Sequence, residues 1–180
     1  MSNLLLQPDL SGGSLIHDVT PASAGWSHVG FGLHDLTAGG SVESGGTADE
    51  ICLVLLSGSV RIIADDLDTG LLQGRASVFD KVAPHAVYVP MKTAWRVEAG
   101  SDSELAVCRA PGTEGKLPPR LIGSQNMPLE TRGTGSNVRH VCNILPETEP
   151  ADSLLVVEVI TPAGNWSSYP PHKHDTDNLP

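Results

Sequence analysis

The spacing of helix breakers constrains this chain more than any other feature. Its 180 residues hold 19 Gly and 14 Pro, and nowhere do more than 11 consecutive residues run without one or the other. An interior Gly costs a helix about 1 kcal/mol and an interior Pro about 3 kcal/mol, so helices of ordinary length have almost nowhere to form. Between the breakers lie short runs rich in Val, Ile and Leu, at 51–56, 60–64, 86–89, 105–108, 138–145 and 154–160. Short apolar strands separated by turn signals predict an all-β barrel or sandwich.

Alternation in His28-Val29-Gly30-Phe31-Gly32-Leu33-His34 predicts a half-buried strand, with Val29, Phe31 and Leu33 on the apolar face and His28 and His34 on the other. Ser57-Gly58, between two apolar runs, reads as the turn of a hairpin. Residues 111–119, P-G-T-E-G-K-L-P-P, read as a surface loop, and 146–150, P-E-T-E-P, as an acidic linker between domains. Beyond that linker, Ile160-Thr161-Pro162-Ala163-Gly164 echoes Leu36-Thr37-Ala38-Gly39-Gly40 at an offset of 124 residues, which suggests two similar barrels in tandem. Residues 154–160, L-L-V-V-E-V-I, are apolar at every position but Glu158, the pattern of a strand buried on both faces. Such a strand is expected to lack its cover in this chain.

With 11 Lys and Arg against 21 Asp and Glu, the formal net charge is −10. A surface this acidic repels phosphate backbones and anionic headgroups, so nucleic-acid and membrane partners are excluded, and an anionic ligand needs a local cation. Residues 1–8 carry no Lys or Arg and only a short Leu4-Leu5-Leu6 run, so neither a signal peptide nor a spanning segment is expected, and the protein is placed in the cytoplasm. Cys52, Cys108 and Cys142 form no C-x-x-C pair and sit in apolar runs, as core thiols do.

The strongest chemical signal is Gly164-Asn165-Trp166-Ser167-Ser168-Tyr169-Pro170-Pro171-His172-Lys173-His174-Asp175. Histidines at i and i+2 of an extended segment point the same way about 7 Å apart, within reach of one divalent ion. Neutral imidazole suits Zn, Fe, Ni or Cu, and an added carboxylate extends the choice to Mn. On spacing alone, a solvated Pro-rich tail is the alternative.

A Gly, seven intervening residues and H-x-H after an apolar strand resemble the first motif of the cupin superfamily. More narrowly, Y-P-P-H-K-H-D followed by T-D-N-L-P resembles the 5-deoxy-glucuronate isomerase family of myo-inositol catabolism. So do G-W-S-H-V-G-F at 25–31, E-I-C-L-V-L-L-S-G at 50–58 and R-H-V-C-N-I-L at 139–145. The resemblance implies an all-β tandem of cupin-type β-barrels, each a jelly-roll-like double-stranded β-helix. A first barrel would span 1–145, a linker 146–150, and the first strands of a second, metal-binding barrel 151–180, truncated where the sequence stops. His172 and His174 are the implied metal ligands, the remaining Glu and His being expected beyond residue 180, and the implied metal is Zn, Mn or Fe. In the first barrel Glu50 and Gly58 match part of the motif, but 41–49 holds no histidine and Trp95 stands where a second-motif histidine would. No metal is expected there. His17, His28, His34, His85 and His140 are read as turn or surface residues.

The implied activity is aldose-to-ketose isomerisation of 5-deoxy-glucuronate to 5-dehydro-2-deoxy-gluconate, with the metal polarising the carbonyl and adjacent hydroxyl while a base carries a proton between two carbons. Asp175 and Tyr169 are candidates for that base by nearness in sequence. Arg139 and Lys173, with Arg132, are candidates for the substrate carboxylate, Arg having the better geometry. The expected partners are a small-molecule sugar acid and further copies of the chain in a homo-oligomer. With half its metal ligands, the chain alone is expected to be inactive. Two other readings stay open: an isomerase of the 5-keto-4-deoxyuronate type, and a non-catalytic sugar-acid-binding cupin.

Overall fold

The computed structural model describes residues 6–167. The elements run β1 (Leu15–Val19), α1 (Pro21–Ala24), β2 (Gly30–Leu36), β3 (Ser41–Ser44), β4 (Asp49–Ser57), β5 (Ser59–Ala64), β6 (Leu67–Gln73), β7 (His85–Val89), β8 (Trp95–Ala99), β9 (Ser103–Pro111), β10 (Arg120–Ile122), β11 (Leu129–Arg132), β12 (Arg139–Leu145) and β13 (Val156–Ile160). The expected all-β class holds. The helix is a single turn, opened by a Thr20 and Ser23 capping box and closed by Gly25 at φ 75°.

A six-stranded sheet in the order β1-β2-β9-β4-β7-β10 faces a four-stranded sheet in the order β3-β8-β5-β6. Between them lies a core of Ile51, Leu53 and Leu55 on β4, Val87 and Val89 on β7, and Leu105 and Val107 on β9. Val60 and Ile62 on β5 and Trp95 and Val97 on β8 meet them from the other side. A third sheet, β11-β12-β13, covers the opposite face of the six-stranded one. There Cys52, Val54, Ala86, Tyr88 and Ala106 pack with Cys142, Ile144, Leu145, Leu154 and Val156. Strand β4 is thus covered on both faces, which is why residues 51–56 read as an unbroken apolar run.

Three local expectations are corrected. The turn at Ser57-Gly58 does not close a hairpin, because β4 pairs with β7 and β9 whereas β5 pairs with β6 and β8. Both strands turn alternate apolar residues into one core from opposite sheets, so the chain crosses between layers. It does so through Gly58 at φ 85°, where a Cβ would lie 2.2 Å from the Asp102 carbonyl oxygen. On β2 the buried face is also the reverse of the one expected. Gly30, Gly32, His34 and Leu36 point inward while Val29 and Phe31 are exposed. Here glycine selects the face: a Cβ on Gly32 would stand 2.9 Å from Nη2 of Arg109, whose side chain needs that room. Finally, residues 154–160 are not buried on both sides and do not lack cover. β13 pairs with β12 across residues 146–150, and burial alternates along it, Leu154 and Val156 facing in, Leu155, Val157 and Val159 facing out.

What holds the third sheet in place is a carboxylate. Glu50 lies on the outer face of β4 beside Cys52 and is 0% exposed. It accepts from the Tyr88 hydroxyl at 2.8 Å, from the backbone N–H of Asp152 at 2.7 Å, and from the N–H groups of Ser153 and Leu154. One step along, the Asp152 carboxylate accepts from the N–H groups of Thr113, Glu114 and Gly115, and these bonds hold its pKa below the usual carboxylate value. The 112–119 loop and the approach to β13 are thereby fastened together.

Replacing Glu50 by Ala strands three backbone donors and a phenol in a dry interface. At about 1–3 kcal/mol for each buried group left unpaired, the expected loss exceeds about 3 kcal/mol. It is read as a lower urea midpoint at unchanged slope. Glu43→Ala, which removes an exposed ion pair with Arg96, is the control and shifts stability by less than about 1 kcal/mol.

Candidate functional site

The space between the first two sheets is a packed core. Strand parity directs Ile51, Leu53 and Leu55 into it and turns Glu50 away, while Trp95 enters it from β8. His34, also on the inner face, is buried within β2 rather than placed in a turn or at the surface as expected, and meets Ser14 Oγ at 3.2 Å. Burial, with the Arg109 charge beside it, lowers its pKa. Among the described residues no group of three or more His, Cys, Asp or Glu is placed to hold a metal ion.

The outer face of the third sheet has a different character. Register sets Arg132 opposite Arg139, Glu130 opposite Val141, and Asn143 opposite Val157, so these side chains share one face. Glu130 accepts from Arg132 Nε at 2.9 Å and from Asn143 Nδ2 at 2.6 Å, and Arg132 Nη2 reaches Asn143 Oδ1 at 3.3 Å. The Arg132 guanidinium holds the Glu130 pKa below its ordinary value, with Asn143 adding to the effect. Arg139 donates to the Asn137 carbonyl at 3.2 Å and has no carboxylate partner among the described residues. Beside these polar groups Val157 and Val159 are 53% and 41% exposed. A face that combines an organised polar lattice, a cation with spare donors and bare valines is suited to line a chamber for a polar, anionic ligand.

The chain leaves β13 at that same end of the sheet. Trp166 donates its backbone N–H to the Ser136 carbonyl at 2.8 Å, and Asn165 Nδ2 donates to the Val138 carbonyl at 2.8 Å, just before β12 begins. Trp166 stands six residues ahead of His172. His172, His174, Lys173, Tyr169 and Asp175 lie outside the described residues. Of the residues singled out from sequence, then, the structure brings Arg132 and Arg139 together. Glu130 and Asn143 were missed, although Glu130 and Arg132 at i and i+2, and Arg139, Val141 and Asn143 at alternate positions, carry the parity that could have found them.

On the inner face of the same sheet a cavity of about 190 Å³ is lined by Val82, Leu129, Thr131, His140, Cys142 and Glu158 among others. His140 is paired with Thr131 Oγ1 at 3.2 Å, and Glu158 with Arg75. The thiols are poor nucleophiles: burial pushes both Cys108 and Cys142 up to about 11 and raises Cys52 further.

Comparison with known proteins gives a consistent picture. The model of the KduI/IolB family matches residues 4–180. The chain is 52% identical to the 5-deoxy-glucuronate isomerase of Geobacillus kaustophilus over 162 residues, 90% of this chain and 58% of that one. It is 42% identical to the 5-deoxy-glucuronate isomerase of Bacillus subtilis (strain 168) over 185 residues, covering 68% of it. The crystal structure of an IolB-like protein from Salmonella typhimurium LT2 superposes with a TM-score of 0.89 at 45% identity, over 93% of this chain and 63% of that one. The chain therefore spans about three fifths of the Geobacillus relative's length.

The polar lattice predicts a titration. Glu130 folds with its pKa below the ordinary 4.5, so its bond to Arg132 is fully formed above that value and is lost as pH falls through the lower folded one. Carbon-13 NMR of the side-chain carboxyl is expected to show a depressed midpoint in the native protein and a higher one in Arg132→Ala, where only Asn143 still lowers it.

Proposed function

The chain belongs to the KduI/IolB family, and from that premise we propose that it works as a sugar-acid isomerase on 5-deoxy-glucuronate, with the outer face of β11–β13 as one wall of the reaction chamber. The observation that carries this reading is the cross-strand pair Arg132 and Arg139, set on a face of organised polar groups and bare valines beside the anchored approach to His172. The cupin-type first barrel serves as a scaffold. Residues 151–180 begin the second barrel, joined to the first by the pairing of β13 with β12.

In this reading Arg139 binds the substrate carboxylate, and Lys173 adds a second cation. Glu130, Arg132 and Asn143 orient the sugar hydroxyls, each already fixed by its neighbours, so little ordering remains for the moment of binding. Val157 and Val159 exclude water. Asp175 or Tyr169 moves the proton between the two carbons. The donor set fits a divalent ion of the Zn, Mn or Fe class: His172 and His174 offer two imidazoles, and Glu130 does not compete, its oxygens being held by Arg132 and Asn143. When bound, such an ion supplies Lewis-acid polarisation of the carbonyl and its neighbouring hydroxyl. No described helix is long and apolar enough to cross a membrane, and we place the enzyme in the cytoplasm as a homo-oligomer.

Turnover in this proposal needs the part of the relatives that lies outside the match. The test is a chimera that joins this chain to the remaining two fifths of the Geobacillus kaustophilus relative, assayed by NMR for loss of the 5-deoxy-glucuronate aldehyde. His172→Ala is expected to abolish turnover with the fold intact. Arg139→Ala is expected to raise KM roughly 10- to 100-fold, the worth of a lost charge-assisted hydrogen bond. An inactive but folded chimera, or an unchanged KM in Arg139→Ala, contradicts the proposal.

A further inference from the structure

The pairing of β12 with β13 repeats that of β1 with β2. His17 opposite Leu33 and Asp18 opposite Gly32 return as Cys142 opposite Glu158 and Asn143 opposite Val157, every residue advanced by 125. The turn that follows returns at the same offset. Gly40 N–H donates to the Thr37 carbonyl at 2.8 Å and Asn165 N–H to the Pro162 carbonyl at 3.0 Å, with Gly39 and Gly164 both at φ 80°. This offset is one residue longer than the echo of 36–40 in 160–164 suggests, and one residue exchanges the faces of a strand. Val29, Phe31 and Leu33 thus correspond to Leu154, Val156 and Glu158, the residues that β13 turns toward the first barrel.

The two sets differ in what covers them. Leu154 and Val156 are 3% and 8% exposed against Cys52 and Val54 of β4, whereas Val29 and Phe31 are 51% and 39% exposed. Strand β2 is paired on both edges, with β1 and β9, whereas β13 is paired among the described residues with β12 alone. The N–H groups at 152–154, which hold Glu50, have their counterparts at Ser27, His28 and Val29, and these meet no acceptor among the described residues. The first strand pair therefore presents the same contact surface as the second: an apolar stripe beside three successive donors.

A contact between two like units closes on itself only when it is reciprocal, and a head-to-tail contact leaves one surface bare and runs on to another copy. The bare end of an open array carries polar residues, but here Val, Phe and Leu stand at alternate positions. The Geobacillus relative has two fifths of its length outside the match, room for the strands that would follow β13. We propose that the outer face of β2 is the docking surface for the remainder of the second barrel: its counterpart of β4 lies on Val29, Phe31 and Leu33, with an acceptor in the place of Glu50 on the N–H groups of 27–29. Each barrel then covers the other around a two-fold axis. This rests on the reading of residues 151–180 as the start of a second barrel, and adds the face of the first barrel to which that unit returns.

The test compares the 180-residue chain with the chimera that carries the rest of the Geobacillus kaustophilus relative, by amide hydrogen exchange at 27–29 and by broadening of the Val29 methyl signals with a soluble paramagnetic probe. In the chimera, exchange at Ser27, His28 and Val29 is expected to slow roughly 100-fold or more and the methyl broadening to disappear, while the 180-residue chain stays open at every concentration. Phe31→Asp is expected to reopen the face in the chimera and to leave the urea midpoint of the 180-residue chain unchanged. Fast exchange and full broadening in the folded chimera overturn the proposal. So does cover that is present in the 180-residue chain and grows with its concentration, which assigns the face to a second copy. Should the chimera not fold, the full-length Geobacillus relative, read at the amides aligned with 27–29, decides in the same way. Turnover of 5-deoxy-glucuronate is followed in parallel: turnover with the face open keeps the isomerase reading and overturns this proposal, and a covered face without turnover does the reverse.

Discussion

A carboxylate with no exposed surface must find all its hydrogen bonds inside the protein, and Glu50 finds them across a layer boundary. Its partners are Tyr88 on the neighbouring strand and three successive backbone N–H groups at 152–154. Breaking any of these leaves a charge or a donor dry, so the entry to β13 is held where Glu50 requires it. Once that entry is fixed, Leu154 and Val156 drop into the cluster with Cys52, Val54 and Tyr88, and β13 completes the ladder with β12. The orientation of the outer face, with Arg132, Arg139 and the bare valines, follows from that docking. Arg120 stacks its guanidinium 4.6 Å from the Tyr88 ring centre and so reinforces the same group from the other side.

The two faces of the six-stranded sheet divide the labour. One closes a largely aliphatic core, and the other carries a layer whose outer surface sets Glu130, Arg132 and Arg139 beside exposed valines. A core filled by Trp95, leucines and valines is close-packed, and the third sheet is built on its back.

Much of the fold was legible because its signals are local. Breaker spacing excluded long helices, and the apolar runs at 51–56, 60–64, 86–89 and 105–108 all lie within strands. What sequence could not give was partnership. Ser57-Gly58 looks like any tight turn until the Asp102 carbonyl behind Gly58 shows that the chain is crossing layers. The inverted face of β2 depends on the Arg109 side chain, 77 residues away from Gly32, which takes the space that two glycines leave. Strand β13 read as doubly buried because seven residues with one charge cannot reveal that alternate valines face outward. At the site, Arg132 and Arg139 were recognisable as cations, but their register, and the roles of Glu130 and Asn143, come only from the pairing of β11 with β12.

Methyl-resolved NMR with glucuronate as a non-reacting sugar acid tests most directly whether ligand meets this outer face rather than the barrel interior. The predicted result is shifts at Val141, Val157 and Val159 and at the Arg139 side chain, with Val60, Ile62 and Val97 unmoved. Shifts centred on those last three, the residues of the first barrel's core, would contradict it.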